Sequence, residues 1–154
     1  MKKINYLFFN VLIILSVFSV SCSDKGDTPA PTPTKTQLIT SGSWKYESAT
    51  YNGSPIPSSM STCVVDNTLT FTSTTYTVIE GAIVCSPTTA TPAPQTWSFQ
   101  SGETQLILAS TLIPGSTSGV FTIVTLNATN LVISQNVAIS PSPTAFPLVI
   151  TFKH

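Results

Sequence analysis

Apolar and polar residues alternate in short runs along the chain from about residue 43 onward. In one such run, Leu69 and Phe71 alternate with the threonines on either side of them. A period of two indicates a strand with one buried and one solvated face, which is typical of an antiparallel sheet. The pattern predicts eight strands, at residues 43–52, 64–72, 75–84, 95–100, 104–110, 119–126, 130–137 and 146–153.

Turn-forming residues separate the predicted strands, at Asn52-Gly53, Ser73-Thr74, Ser101-Gly102 and residues 127–129. Eight short antiparallel strands in one small domain leave sheet edges that need protection, and closure into a barrel removes those edges. We therefore predict an all-β fold, an antiparallel up-and-down eight-stranded barrel. A two-sheet β-sandwich is the alternative.

The first 21 residues follow a different pattern. Lys2 and Lys3 precede an almost wholly apolar run at residues 6–20, which is shorter than the roughly 20 residues that a membrane-spanning helix needs. A basic start, a short apolar run and small residues at its end are typical of a secretory signal peptide. We assign residues 1–21 to this signal.

The sequence Ser-Val-Ser at residues 19–21 stands directly before Cys22. It resembles the lipobox of bacterial lipoproteins, and this resemblance implies that the Cys22 thiol is lipidated after cleavage of the signal peptide. Fatty acyl chains such as palmitate would hold the chain on a membrane, since each buried CH₂ contributes about 0.8 kcal/mol. An ordinary signal peptide with a chance cysteine is the alternative.

We interpret residues 22–36 as the acylated cysteine followed by a tether. The tether is rich in proline and threonine, and proline occupies alternate positions from 29 to 33. Asp24 and Asp27 resemble the acidic signal that exports some lipoproteins of Gram-negative bacteria to the cell surface. We therefore expect a cell-envelope protein, an outer-membrane lipoprotein exposed at the surface, with a plain solvated linker as the alternative. The folded domain is expected at residues 37–154.

Charge excludes one class of partner for this domain. Residues 37–154 contain two lysines against four acidic residues, and the chain has no arginine. A nucleic-acid footprint requires clustered basic residues, so we expect no nucleic-acid binding. Serine and threonine, 21 and 25 of the 154 residues, supply the polar surface instead. We expect the domain to be a monomer.

Cys63 and Cys85 flank the hairpin predicted at residues 64–84, at nearly equal distances from its turn. Antiparallel pairing would bring such residues opposite each other, within reach of a disulfide. The bond is favoured outside the cytoplasm, and closing this loop would stabilise the fold by roughly 3 kcal/mol. A metal site is the alternative, although the chain's single histidine is His154.

A series of motifs covers nearly all of residues 37–154. Gly-Ser-Trp at 42–44 begins the first predicted strand, Cys63 and Cys85 follow around the hairpin, and Trp97 begins a later strand. This ordered series resembles bacterial lipocalin-like lipoprotein domains. The resemblance implies an eight-stranded barrel whose floor is closed by Trp44. Many lipocalins pack an arginine on this tryptophan, and this chain has none.

We expect no enzyme activity. Asp66 and Glu80 could face each other across the hairpin as a carboxylate pair for acid–base chemistry, but two solvated rim charges are the simpler interpretation. A Ser-His-Asp triad is excluded by the position of the one histidine, and no glycine-rich phosphate loop is present. The sequence predicts neither a cofactor nor a metal site.

An eight-stranded barrel either encloses one small ligand or is filled by its own side chains. The first case predicts a binding module for a small, apolar, neutral ligand. The candidate cavity-lining residues are Trp44, Tyr46, Phe71, Tyr76, Trp97, Phe99 and Phe121. The second case predicts a structural or interaction protein that uses the proline-rich loops 53–62, 86–94 and 139–147.

Cys22→Ser is expected to release the protein from membranes, because the variant lacks the thiol that carries the lipid. Fractionation of host cells into membrane and soluble material measures this release. Ser21→Ala keeps a small residue next to the cysteine and serves as the control that stays on the membrane. Membrane retention of Cys22→Ser would contradict acylation.

Overall fold

The computed structural model describes residues 30–56, 62–84, 93–110, 112, 118–138 and 144–154. This part of the chain contains two short helices and nine strands, and residues 33–154 form one compact unit. No helix in the described ranges is long and apolar enough to cross a membrane. The elements are α1 (Lys35–Ile39), β1 (Ser43–Tyr51), β2 (Ser54–Pro55), α2 (Thr62–Val65), β3 (Thr68–Phe71), β4 (Thr75–Ile79), β5 (Gln95–Gln100), β6 (Gln105–Leu108), β7 (Val120–Leu126), β8 (Asn130–Val137) and β9 (Phe146–Lys153).

Eight of the strands form a closed antiparallel barrel. Each strand from β3 to β8 pairs with the next one along the chain, and β9 pairs with both β8 and β1. β1 pairs over Ser43–Lys45 with β3 and over Lys45–Tyr51 with β9. The short strand β2 extends the sheet at the end of β1. The closed ring confirms the predicted barrel and excludes the two-sheet sandwich.

The predicted turns are confirmed. Asn52 and Gly53 have φ angles of 49° and 77°, the left-handed backbone that a two-residue hairpin loop requires. Ser101 and Gly102 also have positive φ angles in the connection between β5 and β6. In the turn after β7, the Asn127 Oδ1 atom accepts hydrogen bonds from the backbone N–H groups of residues 129 and 130, which is a typical asparagine turn.

The hairpin predicted at residues 64–84 is shorter than expected. α2 occupies the first predicted strand positions, β3 begins only at Thr68, and β4 ends at Ile79. The strand prediction was therefore wrong for residues 64–67 and 80–84. Two side chains that follow α2 accept hydrogen bonds from the backbone N–H groups of residues 81 and 83. These side-chain bonds replace the ladder that a longer hairpin would have formed.

Helix α1 begins inside the segment assigned to the tether. Its first turn has a capping box: the Thr34 hydroxyl accepts from the Gln37 N–H at 3.2 Å, and the Gln37 side chain accepts from the Thr34 N–H at 2.8 Å. Such reciprocal bonds satisfy backbone donors that have no partner within the helix. Ile39 at the end of α1 is fully buried, so α1 packs as part of the barrel.

β1 contains a β-bulge at Glu47, which the pairing with β9 skips. Before the bulge the even-numbered residues Trp44 and Tyr46 face inward, and after it the odd-numbered residues Ala49 and Tyr51 do so. One extra residue in a strand produces this change of face, because side chains alternate with a period of two.

The inward-facing residues of all eight barrel strands form the core. Residues predicted to face inward are buried or half-buried, which confirms the prediction made from the apolar–polar alternation. The buried apolar residues are Ile39, Trp44, Ala49, Leu69, Phe71, Tyr76, Trp97, Leu106, Leu108, Phe121, Leu131, Ile133, Leu148, Ile150 and Phe152. Gln135 is a buried polar residue. Its Nε2 atom donates to the carbonyls of Ser118 and Val120, which supplies the hydrogen bonds that a buried amide group needs.

Trp44 closes one end of the barrel. Its side chain is fully buried, and its Nε1–H donates to the Ile39 carbonyl at 2.8 Å. The imidazole of His154 stacks on the indole with 3.8 Å between ring centroids. His154 Nδ1 also lies 3.1 Å from the Ser43 carbonyl oxygen. The tryptophan is therefore covered by a histidine in a chain that has no arginine.

Trp44→Phe is expected to lower the free energy of unfolding by about 2–4 kcal/mol. The smaller ring leaves a cavity and leaves the Ile39 carbonyl without its donor. Chemical denaturation measures the change. Tyr51→Phe is the control, because its half-buried hydroxyl makes only a long hydrogen bond of 3.3 Å to the Val137 carbonyl, and its loss should cost less than about 1 kcal/mol. Equal effects of the two substitutions would contradict the role of Trp44.

Candidate functional site

The directions of the strands define two different ends of the barrel. Trp44, α1 and the turns that follow β3, β5 and β7 belong to one end, which is closed. α2 and the connections that follow β4, β6 and β8 belong to the other end. This second end contains a cavity of about 170 Å³, which we call the upper cavity.

The wall of the upper cavity is mainly apolar. β1, β3, β4 and β9 contribute inward-facing side chains, while α2 and the segment after β6 contribute the remainder. The lining residues are Tyr46, Val64, Asn67, Leu69, Val78, Ser110, Leu112, Ile150 and Phe152. None of these side chains carries a charge, so the cavity suits an uncharged molecule.

A pair of side chains after α2 fixes one side of the cavity. The Asp66 Oδ2 atom accepts from the Ile83 N–H at 2.9 Å, and the Asn67 Oδ1 atom accepts from the Gly81 N–H at 3.1 Å. Gly81 lies so close to Asp66 that an added Cβ would overlap the carboxylate. These contacts bind α2 to the segment after β4 and so position Val64 and Asn67.

The contacts of Asp66 give it a structural role. One carboxylate oxygen binds backbone, and the other is buried without a hydrogen-bond partner among the described residues. Glu80 forms no ion pair or hydrogen bond in this part of the chain. The described contacts therefore include none in which the two carboxylates act on a common group.

The three polar side chains of the cavity differ in their bonding. Ser110 is bound to Tyr76, with 2.5 Å between the two hydroxyl oxygens. Asn67 uses its Oδ1 atom for Gly81, which leaves its Nδ2 amide without a partner in the described ranges. Tyr46 packs edge-on against Phe152, and burial raises the pKa of its phenol. Its hydroxyl also lacks a hydrogen-bond partner there, so the cavity offers hydrogen-bond donors.

Of the seven residues predicted to line a ligand cavity, Tyr46 lies in the upper cavity wall. Trp44 and Phe121 are fully buried in the core. The other four, Phe71, Tyr76, Trp97 and Phe99, form a continuous aromatic cluster with ring centroids 5.0–5.8 Å apart. The rings of this cluster fill the barrel where β3, β4 and β5 meet.

Several lining residues have no direct signal in the sequence. Leu69, Val78 and Ile150 follow the strand alternation, so their inward direction was predictable. Val64 and Asn67 were assigned to a strand, although Asp-Asn between two apolar runs is also a turn signal. Ser110 and Leu112 lie beyond the end of β6, where alternation no longer applies.

Within the described ranges, no group of three or more His, Cys, Asp or Glu side chains could hold a metal ion. The side chain of Cys63 and all of Cys85 lie outside the described residues, as does Cys22. The loops 53–62, 86–94 and 139–147 are also only partly described. The disulfide, the lipid anchor and the loop surfaces therefore remain predictions.

Comparison with protein families places the chain beside a known domain family. The model of the lipocalin-like domain family matches residues 40–133, which is more than half of the chain and extends from the segment before β1 into β8. No curated protein matches the chain, and no solved structure does either. The match agrees with the closed eight-stranded barrel, and the chain belongs to the lipocalin-like domain family.

Proposed function

We propose that the protein is a non-enzymatic binding module for a small apolar ligand at the cell envelope. The upper cavity carries this proposal, because it is an apolar space within a barrel whose other end is closed. Small-molecule sites are typically concave, mainly apolar and furnished with a few polar groups. The cavity has all three features, since Tyr46, Asn67 and Ser110 interrupt an otherwise apolar wall.

The size of the cavity limits the ligand. A water molecule takes about 30 Å³ of liquid volume, and a dry apolar cavity of about 150 Å³ binds benzene in another protein. A space of about 170 Å³ therefore fits a molecule with one ring or a short branched chain. A long acyl chain would have to extend beyond the cavity. The aromatic cluster of β3, β4 and β5 fills the neighbouring space, which keeps the site small.

The second candidate is a surface interaction protein whose barrel binds no ligand. One observation favours it: Ile79 at the end of β4, and Ile83 and Val84 on the segment that follows, are each about half exposed. Apolar side chains in such a group are typical of protein contact sites. Native mass spectrometry of the protein purified from its own host separates the candidates, since a bound small molecule supports the first and a bound protein supports the second.

We further propose that lipid on Cys22 anchors the domain and that a disulfide joins Cys63 to Cys85. The signal peptide and lipobox in residues 1–22 support the anchor. For the disulfide, Cys63 belongs to α2 and Cys85 follows the segment that Asp66 and Asn67 bind to α2. A bond between the cysteines would reinforce the same contact between two parts of the chain.

Val78→Phe is expected to abolish binding of benzene, because the larger ring would occupy the upper cavity from its β4 wall. A titration followed by amide chemical shifts should show at least a tenfold weaker affinity than wild type. The fold should tolerate the change at a cost below about 3 kcal/mol. The control is Val124→Phe, at a residue that is 57% exposed. Unchanged benzene binding by Val78→Phe would contradict the site.

The disulfide is tested by alkylation of the envelope protein before reduction. We expect neither Cys63 nor Cys85 to react with iodoacetamide until a reductant is added, because both sulfurs are bonded. Peptide mass spectrometry reads the modification at each cysteine. Alkylation of both cysteines in the unreduced, denatured protein would show that the bond is absent.

A further inference from the structure

The wall of the upper cavity contains two polar groups that the protein itself does not use. Asn67 Oδ1 accepts from the Gly81 N–H at 3.1 Å, and this bond identifies the oxygen of the amide. The other end of the amide is therefore the Nδ2 group, a donor that cannot accept. It has no hydrogen-bond partner among the described residues, and Asn67 lines the cavity.

Tyr46 contributes the second group. Its ring is held edge-on against Phe152, with 6.5 Å between ring centroids, and both residues line the cavity. Its hydroxyl has no protein partner in the described part of the chain. Burial raises the pKa of this phenol, so the hydroxyl stays protonated, and able to donate, at neutral and mildly basic pH.

The third polar side chain of the cavity, Ser110, is already hydrogen-bonded within the protein. The Ser110 hydroxyl lies 2.5 Å from the Tyr76 hydroxyl, and the Ser110 N–H donates to the same tyrosine oxygen at 3.3 Å. Ser110 is thus already bound within the protein. The unsatisfied hydrogen-bonding capacity of the cavity consists mainly of donors, from Tyr46 and Asn67.

The charges around the cavity restrict the ligand further. None of the lining residues is charged, and Asp66, next to Asn67, has a buried carboxylate oxygen without a partner among the described residues. A ligand carboxylate would enter an apolar space without a counter-charge and close to another negative group, which is strongly unfavourable. The acceptor on the ligand must therefore be neutral.

We propose that Tyr46 and Asn67 make the upper cavity selective for a small, neutral carbonyl compound, such as a ketone, an ester or a lactone. The apolar wall binds the hydrocarbon part, and the two donors bind the carbonyl oxygen. This inference rests on the proposed function and adds the chemical class of the ligand. A ligand that lacks an acceptor would leave both donors unpaired, and such a loss discriminates between otherwise similar molecules.

The test compares two probes of the same shape, cyclohexanone and methylenecyclohexane, which differ only in C=O against C=CH₂. Titrations followed by amide chemical shifts give both dissociation constants. Wild-type protein should bind cyclohexanone roughly two- to tenfold more tightly for each hydrogen bond formed. A third probe, cyclohexanecarboxylate, should not bind at neutral pH. The preference for the ketone should stay constant from about pH 6 to about pH 8, because neither donor titrates there.

Two variants locate the selectivity. Tyr46→Phe removes one donor, and Asn67→Asp removes the other while keeping an oxygen for the Gly81 N–H. Each should reduce the preference for the ketone. Tyr46→Phe should also leave the affinity for methylenecyclohexane within about twofold, whereas Asn67→Asp adds a carboxylate to the wall and is judged by the ratio of the two affinities alone. Tyr51→Phe, at a tyrosine outside the cavity wall, should leave the preference unchanged. Thermal unfolding establishes that each variant is folded, and Tyr46→Phe alone tests the proposal if Asn67→Asp does not fold.

The outcomes separate this proposal from the one on which it rests. Equal affinity of the wild type for the two neutral probes would overturn the carbonyl selectivity and leave ligand binding intact. An unchanged preference for the ketone in Tyr46→Phe and Asn67→Asp would overturn the role of these residues. If neither neutral probe binds, the small-ligand function fails, and the selectivity fails with it.

Discussion

The pairing of β1 with both β3 and β9 is the constraint on which the rest of the structure depends. Its first residues pair with β3, and the greater part of its length pairs with β9. This arrangement turns a meander of antiparallel strands into a ring without free edges. The bulge at Glu47 lets one strand serve both partners, because it directs Trp44 and Tyr46 inward before it and Ala49 and Tyr51 inward after it.

The two ends of this ring differ because the side chains within them differ in size and bonding. At the closed end Trp44 and Ile39 occupy the interior, the exposed His154 covers the indole, and the Ile39 carbonyl accepts from the indole N–H. The β4–β5 junction has only two paired positions, and the aromatic cluster around Trp97 packs across it, with the Trp97 indole donating to the Thr72 carbonyl. Aliphatic side chains, together with Tyr46 and Phe152, line the upper cavity toward the opposite end. A barrel that binds a small ligand needs an unfilled space for it, and here packed side chains close the other end.

The sequence predicted the barrel well, because alternation and turn residues act locally. The inward direction of Leu69 and the turn at Asn52-Gly53 depend only on neighbouring residues and were confirmed. The bulge at Glu47 could not be predicted, since it exists only through pairing with β9, about one hundred positions away. α2 was missed for a related reason: Thr62–Val65 has strand-forming residues, and its conformation accompanies tertiary contacts of Asp66 and Asn67.

The central claim is that the barrel contains an apolar space at one end which a small molecule can enter. Crystals pressurised with xenon test it most directly, because xenon occupies apolar cavities without needing a specific hydrogen bond. The account predicts a strong xenon peak between Leu69, Val78 and Phe152. A map in which side chains fill this region and no xenon binds would contradict it.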